Sequence, residues 1–121
     1  MRDDRKNLIV DLSFEFAIKS VIFAEQLEAQ RKYSIARQFI RSATSIGANV
    51  REAQNSESKN DFIHKMKIAA KELDETKYWL QIIENLPNYP QNSELLQSLE
   101  TVERVINKII STCKKSIQSQ K

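Results

Sequence analysis

Two glutamates on the third predicted helix are the side chains of this 121-residue chain best placed for chemistry. Glu72 and Glu75 share a helical row with apolar residues and Trp79, next to the apolar seam, so we expect both carboxylates to be partly buried. A buried carboxylate stays charged only when it is paired or hydrogen-bonded. We interpret the two as part of a polar network that sets helix register or a subunit contact. Candidate donors to this network are Lys65, Lys71, Arg51 and Tyr78.

The remaining reactive residue types do not form a recognisable catalytic or metal-binding pattern. Di-iron carboxylate bundles use Glu-x-x-His pairs, whereas the only histidine, His64, is not three residues after any glutamate. Cys113 lies in an apolar seam, where a free thiol behaves as a small hydrophobe. Ser45 and Thr76 have no histidine placed to activate them, and a single glycine cannot build a glycine-rich phosphate loop. We therefore predict no catalytic residues, no metal and no cofactor, in a protein that is not an enzyme.

Long helices must position these residues, because the chain has one glycine and two prolines among 40% hydrophobic and 29% charged residues. That composition lacks the turn residues that sheets and hairpins need. We predict an all-α fold, an up-down-up-down antiparallel four-helix bundle, formed by one domain over residues 1–121. The predicted helices span about residues 7–30, 34–55, 59–86 and 93–119.

Three helices each carry one apolar seam at 3-4 spacing, the pattern of helices that pack at shallow angles. Ser34 is the expected N-cap of the second helix, and Ser58 with Asp61 fits a capping box at the start of the third. Gly47 adjoins the second seam, where we expect close packing to offset its low helix propensity. The seams are Ala36, Phe39, Ala43, Ile46, Val50 and Ala53; Phe62, Met66, Ala69, Leu73, Thr76, Leu80 and Ile83; and Leu95, Leu99, Val102, Ile106, Ile109 and Cys113.

The first helix differs, because its apolar residues form two rows that cover more than the roughly 100° arc a surface helix needs. We therefore predict a second neighbour for this helix, and another subunit is one candidate. The rows are Val10, Phe14, Ala17, Val21 and Ala24, and Ile9, Leu12, Phe16, Phe23 and Leu27.

Basic residues leave nucleic-acid binding open. The formal charge is +3, from 19 Lys and Arg against 16 Asp and Glu. Arg37, Arg41 and Arg51 project from the second helix away from its seam, and they could contact phosphates or form a solvated face. In a ring, such a patch would be repeated around the axis and become multivalent. A second group near the end of the chain comprises Lys108, Lys114, Lys115 and Lys121.

The N-terminal residues and the single cysteine indicate a cytoplasmic protein. Leu8, Ile9 and Val10 are followed at once by Asp11, which is unlike an export signal or a membrane span. Cys113 alone cannot form an intrachain disulfide, as suits a reducing compartment.

A set of residues on the second and third helices resembles a known family. These residues are Ser45-Ile46-Gly47-Ala48-Asn49-Val50-Arg51-Glu52-Ala53, Ser58, Asp61-Phe62, Lys65, Ile68-Ala69, Lys71-Glu72, Glu75-Thr76 and Tyr78-Trp79-Leu80. They resemble the four helix bundle protein family, some members of which are encoded in intervening sequences of bacterial 23S ribosomal RNA genes and are often labelled ribosomal proteins. The chain is also similar to the accessory variability protein of diversity-generating retroelements, which binds nucleic acid and a reverse transcriptase as a basic pentamer.

The resemblance implies a cytoplasmic bacterial bundle that assembles into a homopentamer. It also implies that the polar residues of the motif connect the two helices or adjacent subunits: Asn49, Glu52, Lys71, Glu72, Glu75 and Tyr78. We expect a non-enzymatic, oligomeric binding module for RNA or DNA, or for a nucleic-acid-handling protein. The alternative is a structural assembly protein with a protein partner and no nucleic-acid binding.

Overall fold

The computed structural model of the chain is all-α, as predicted, and it describes residues 4–119, with side chains for residues 8–118. Four helices follow one another: α1 (Asp4–Ala29), α2 (Tyr33–Ala53), α3 (Lys59–Glu84) and α4 (Ser93–Ser119). Helix α4 has the predicted bounds, and α1, α2 and α3 each end one or two residues before the predicted position. Such differences are usual at helix ends, where the last turn frays or tightens.

The helices form an antiparallel bundle. Each packs against its neighbours along the chain, α1 also packs against α4, and the contact between α2 and α3 is the most extensive. Short connections at residues 30–32, 54–58 and 85–92 make successive helices antiparallel. In cross-section the helices therefore occupy the corners of a square in chain order. No helix within residues 4–119 is both long and apolar enough to cross a membrane.

The predicted seams form the core. All six seam residues of α2 and all seven of α3 are buried, as are the first five of α4, whereas Cys113 is half-buried near the end of α4. From α1 the core receives mainly the second predicted row, including Phe16 and Phe23. The ring of Phe23 meets that of Phe39 edge-on, with centroids 5.7 Å apart. The 3-4 periodicity thus identified the inward face of these three helices correctly.

The predicted N-cap of α2 was wrong. Ser34 lies inside the helix, and the capping position is Lys32, whose side chain makes no capping hydrogen bond. The cause is the way α1 ends: Arg31 has a left-handed backbone (φ 63°), and its N–H bonds the carbonyl of Glu28 while that of Lys32 bonds the carbonyl of Leu27. This Schellman arrangement usually has glycine at the left-handed position. It turns the chain so tightly that α2 starts at Tyr33, before the serine is reached.

The start of α3 follows the prediction. The Ser58 hydroxyl accepts a hydrogen bond from the backbone N–H of Asp61 at 3.0 Å, and the Asp61 carboxylate accepts one from the backbone N–H of Glu57. The acid therefore bonds the residue before the cap rather than the cap itself. At the other end, tight turns close α3 before Pro87, and Asn88 takes the left-handed conformation (φ 66°).

Candidate functional site: two surfaces that share the second helix

The first surface lies between α1 and α2, where apolar side chains stay in solvent. Five large apolar residues of α1 are between 43% and 53% exposed, and we call them the α1 strip: Leu8, Phe14, Ile18, Val21 and Ile22. Of the two predicted rows, only Phe14 and Val21 belong to this strip. Within the chain α1 has two neighbours, α2 and α4, and a contact between the strip and another subunit stays a prediction. Clustered exposed apolar side chains often mark an interaction surface.

An open groove of about 270 Å³ runs beside this strip. Val10, Phe14 and Ala17 line it from α1, and Gly47 and Ala48 form part of its wall on α2. Small residues on α2 let the two helices approach and leave the groove unfilled. A Cβ on Gly47 would lie 3.4 Å from the backbone oxygen of Ser13, so α1 does pack against this glycine, as expected.

Arg51 closes one side of the groove. Its guanidinium carbon lies 5.6 Å from the centroid of the Phe14 ring, a cation–π arrangement that holds the side chain over α1. Arg51 is exposed and makes no ion pair with any carboxylate of residues 8–118. The α1/α2 surface therefore presents the cation of Arg51 beside apolar side chains, and the exposed carboxylates of Asp11, Glu15 and Glu25 lie among the residues of the α1 strip.

The second surface lies between α2 and α3 and carries a cluster of charged and aromatic groups. The Arg41 guanidinium donates to Glu75 Oε2, and the Trp79 indole N–H donates to the same oxygen at 3.1 Å. The hydrogen bond from Trp79 and then that from Arg41 lower the pKa of Glu75. Its hydrogen bond to Glu75 and the charge of that carboxylate raise the pKa of Arg41. Glu75 is therefore a charged acceptor held by two helices.

Glu72 is the least satisfied member of this cluster. Its side chain is 23% exposed, and Oε2 lies 3.7 Å from Arg41 Nη1, too far for a hydrogen bond. That oxygen is shielded from solvent and has no hydrogen-bond partner among the described residues. Because one arginine faces two carboxylates, the cluster of Arg41, Glu72 and Glu75 has a net charge of −1. At the edge of the cluster, the exposed ring of Tyr78 packs against the ring of Trp79. The two ring centroids are 5.3 Å apart, and the ring planes are inclined by 58°.

A buried hydroxyl pair lies beneath the cluster. Thr76 and Ser42 are both fully buried, and their hydroxyl oxygens are 2.9 Å apart across the α2/α3 interface. Each hydroxyl also has an acceptor in its own helix, Glu72 O at 2.7 Å for Thr76 and Phe39 O at 3.1 Å for Ser42. This pair joins α2 and α3 one residue along each helix from Arg41 and Glu75. The sequence analysis considered Thr76 as a seam residue and as a hydroxyl without an activating histidine, but did not predict its contact with Ser42.

The predicted polar network is reproduced only around its carboxylates. Glu72 and Glu75 are half-buried as expected, but their cationic partner is Arg41 rather than any of the four proposed donors. Asn49 donates to the carbonyl of Ser45 in its own helix. The side chains of Glu52, Lys71 and Tyr78 are exposed.

The three predicted phosphate-contacting arginines do not form one patch. Arg41 turns toward α3 and its carboxylates, whereas Arg51 turns toward α1 and Phe14. Arg37 is exposed, with no ion pair to any carboxylate of residues 8–118. On α4, Lys108, Lys114 and Lys115 are exposed, and Lys121 lies outside the described residues.

No other part of residues 8–118 assembles a reactive cluster. Within this range, no three His, Cys, Asp or Glu side chains are grouped closely enough to bind a metal ion. His64 is exposed near the start of α3. Between α3 and α4, Lys77 pairs with Glu103 at 3.2 Å, beside a smaller groove. The α1/α2 and α2/α3 surfaces are therefore the two candidate functional surfaces.

Fold and surfaces together define a small four-helix-bundle protein with an uncovered apolar strip. The chain belongs to the 23S rRNA-intervening sequence protein family, whose profile matches residues 5–111. This confirms the resemblance identified from the motif residues. A solved structure of a protein of unknown function from the S23 ribosomal protein family of Bacteroides thetaiotaomicron VPI-5482 is 34% identical, with a TM-score of 0.82. The comparison covers 88% of this chain and 98% of that one. A search of curated proteins finds no match.

Proposed function

We propose that this protein is a non-enzymatic, cytoplasmic binding module that works as a homo-oligomer, with RNA, DNA or a nucleic-acid-handling protein as its partner. The observation that carries the proposal is the α1 strip beside an open groove. Half-exposed side chains such as Phe14 lose apolar area from water when a second copy covers them, at about 25 cal/mol per Å². A ring of about five copies, the assembly that the family resemblance implies, would cover every strip equivalently.

Charge favours a polyanionic partner. The chain has a formal charge of +3 and a pI near 9.0, and Arg37 projects from α2 without a carboxylate partner within residues 8–118. A single arginine gives weak phosphate binding, but assembly repeats it around the axis and raises its effective concentration. Arg37 is therefore the residue of the predicted patch that best supports phosphate contact. Exposed lysines on α4 supply a second set of positive charges.

The alternative is an assembly protein that binds another protein and no nucleic acid. The observation that favours it is the pairing of Arg41 with Glu75 and Glu72, which removes one of the three arginines from any phosphate-binding surface. The two functions differ in their response to salt. Phosphate contacts release counterions, so log K falls by about 0.9 per contact for each tenfold rise in salt with duplex DNA.

The test is a fluorescence-anisotropy titration of labelled structured RNA and labelled duplex DNA with the wild-type protein, across a series of salt concentrations. We expect binding that weakens steeply with salt, and Arg37→Ala should lower the salt slope. Lys67→Ala is the control that also removes one positive charge, because Lys67 is an exposed cation on α3 outside both groups of basic residues. Absence of binding at the lowest salt would refute the nucleic-acid proposal and leave the assembly protein.

A further inference from the structure

The positive charge of the chain is concentrated in the second half of α4. Residues 104–121 contain five Lys or Arg and no Asp or Glu, so their formal charge is +5. The rest of the chain contains 14 Lys or Arg against 16 Asp or Glu, which gives a formal charge of −2. The mild excess of the whole chain is therefore the sum of one strongly basic segment and a slightly acidic remainder.

Polar side chains of this segment form one row along α4. Arg104, Lys108, Ser111, Lys115 and Gln118 recur at 4-3-4-3 spacing, and we call them the α4 ridge. The first four each follow a seam residue by two positions, and two residues of an α-helix correspond to a rotation of about 200°. The ridge therefore faces away from the core, and all five residues are exposed. Arg104 and Lys115 are about 16 Å apart along the helix axis, at about 1.5 Å per residue.

The stability of α4 does not account for the cations of the ridge. Cations stabilise the negative end of a helix within its last turn, and the last turn of α4 has no basic residue. Lys108 and Lys115 form no ion pair with any carboxylate of residues 8–118. The Arg104 guanidinium donates to the Thr101 hydroxyl at 3.2 Å, and that hydroxyl donates to Gln97 O. This uncharged partner orients Arg104 without compensating its charge.

Carboxylates flank the Arg104 end of the ridge. They are Glu100 and Glu103 of α4, Asp74 of α3, which lines the groove beside Glu103, and Asp11 and Glu15 of α1. Helix α1 runs antiparallel to α4 and is bonded to it at Ser98, which places the α1 pair level with about residues 102–106. The positive potential of the ridge is therefore reduced at this end.

The half of the ridge between Lys108 and Lys115 has no such flank among the described side chains. Beyond residue 103, α4 has no carboxylate. The acids of α3 at these levels, Asp61 and Glu72, turn toward the α2 side, where cationic nitrogens lie 3.6 Å and 3.7 Å from them. On α1 the described side chains begin at Leu8, which is apolar. This half therefore presents positive charge that no described carboxylate offsets.

We propose that the α4 ridge binds the phosphodiester backbone of a nucleic-acid duplex, with Lys108 and Lys115 as its main phosphate contacts and Arg104 extending the row. Lysine and arginine neutralise phosphates, and serine and glutamine side chains donate further hydrogen bonds to phosphate oxygens. Over about 16 Å a duplex presents about five phosphates in each strand, at about 3.4 Å per phosphate. The inference rests on the proposed nucleic-acid binding, and it places the contact on α4 rather than on the arginines of α2.

The composition of the ridge favours nucleic acid over an acidic protein. Interfaces between proteins have an apolar centre surrounded by a polar rim. The ridge has no apolar side chain, and its cations alternate with side chains that donate hydrogen bonds. Because RNA and DNA share the phosphodiester backbone, both are used as probes.

Double variants that change the charge equally test the proposal. Lys108→Gln with Lys115→Gln removes two ridge cations, and glutamine has nearly the helix propensity of lysine. Fluorescence anisotropy with labelled duplex DNA and labelled structured RNA, over a series of salt concentrations, measures the slope of log K against log salt. Each contact with duplex DNA contributes about 0.9 to that slope, so we expect it to fall by about 2 for each copy in contact. Lys108→Arg with Lys115→Arg keeps both charges and should keep the slope.

Lys19→Gln with Lys67→Gln is the matched control, because both lysines are exposed and neither belongs to the ridge. Lys67 lies on the neighbouring helix α3, level with the Lys108 half of the ridge. A diffuse attraction would therefore weaken as much in the control as in the ridge variant, whereas a contact at the ridge leaves the control slope unchanged. Circular dichroism and light scattering check that each variant keeps the wild-type helix content and mass.

The outcomes distinguish this inference from the proposed function. Binding of duplex DNA, structured RNA or both, with the expected change of slope, supports the inference and identifies the nucleic acid. If the wild type binds but the Lys108 and Lys115 glutamine variant keeps its slope, or the control loses as much, the inference is wrong while nucleic-acid binding stands. Poly-glutamate that competes as well as DNA at equal charge would overturn the assignment to phosphodiester backbone. A wild type that binds neither probe at the lowest salt would overturn both.

Discussion

The buried hydroxyl pair between α2 and α3 gives a quantitative prediction about the junction that holds the carboxylate cluster. Ser42 and Thr76 have one hydroxyl proton each, and their oxygens are 2.9 Å apart. Either Thr76 donates to Ser42 and Ser42 to Phe39 O, or Ser42 donates to Thr76 and Thr76 to Glu72 O. Both arrangements use both protons and link the two helices once.

The magnitude follows from these acceptors. Removing one hydroxyl breaks the link between helices but leaves the other able to donate within its own helix, so no buried donor is stranded. We therefore expect Thr76→Val and Ser42→Ala each to lower the free energy of unfolding by about 1 kcal/mol, the net value of one hydrogen bond. The double variant should cost little more than either single variant. The resulting coupling energy is about 0.5–1.5 kcal/mol.

Urea denaturation followed by circular dichroism, at one protein concentration for all variants, measures this double-mutant cycle. Thr101→Val with Ser42→Ala is the control cycle, because Thr101 bonds only Gln97 O in its own helix and Arg104 one turn on. That cycle should be additive. Additivity within about 0.4 kcal/mol for Thr76→Val with Ser42→Ala would refute the link. A single-variant cost above about 3 kcal/mol would instead reveal a stranded partner.

Three further predictions concern the backbone and the ion pair. Arg31→Gly should raise the free energy of unfolding in urea by about 1 kcal/mol, because the left-handed backbone (φ 63°) disfavours a side chain; a lower stability would show that the arginine side chain is needed. Gly47→Ala should raise the free energy of unfolding by up to about 1 kcal/mol, because alanine has the higher helix propensity and its Cβ would fit at 3.4 Å from the nearest atom of α1. A lower free energy of unfolding would mean that this approach is too close. The hydrogen bonds from Trp79 and Arg41 lower the pKa of Glu75, so the charged form stabilises the fold above the ordinary glutamate pKa. The stability difference between wild type and Glu75→Gln, followed from pH 7 to about pH 3, should therefore shrink as pH falls through the lowered pKa, and a constant difference would contradict the assignment.

Helix periodicity was sufficient to predict most of the fold. Residues such as Phe39 and Met66 recur at 3-4 spacing with polar residues between them, and each is fully buried. Burial of this kind depends only on the inward face of a helix, which the sequence displays directly. The excess apolar surface of α1 was equally visible, because Phe14 and Val21 lie outside the arc that one core requires.

Features that depend on a second element were not predicted. Arg41 projects away from its own seam, so the helical wheel of α2 alone suggested a free cation. Its pairing with Glu75 arises from the register between α2 and α3, in which Ser42 also lies opposite Thr76. The indole of Trp79 is four residues after Glu75, and that spacing places them on one helix face; the signal was present, but Trp79 was not among the proposed donors. The early start of α2 required a left-handed Arg31, which sequence propensity disfavours.

The most direct test of the central claim is the solution mass of the wild-type protein and of Phe14→Glu, measured by light scattering over a range of protein concentrations. Phe14 is exposed in the single chain, so the substitution should leave the fold intact while placing a charge in the α1 strip. We expect the wild type to have a mass of several times 14.1 kDa and Phe14→Glu to be a monomer. A wild type that remains monomeric at every concentration, or a Phe14→Glu protein with unchanged oligomeric mass, would contradict the claim that the α1 strip is an interface between copies.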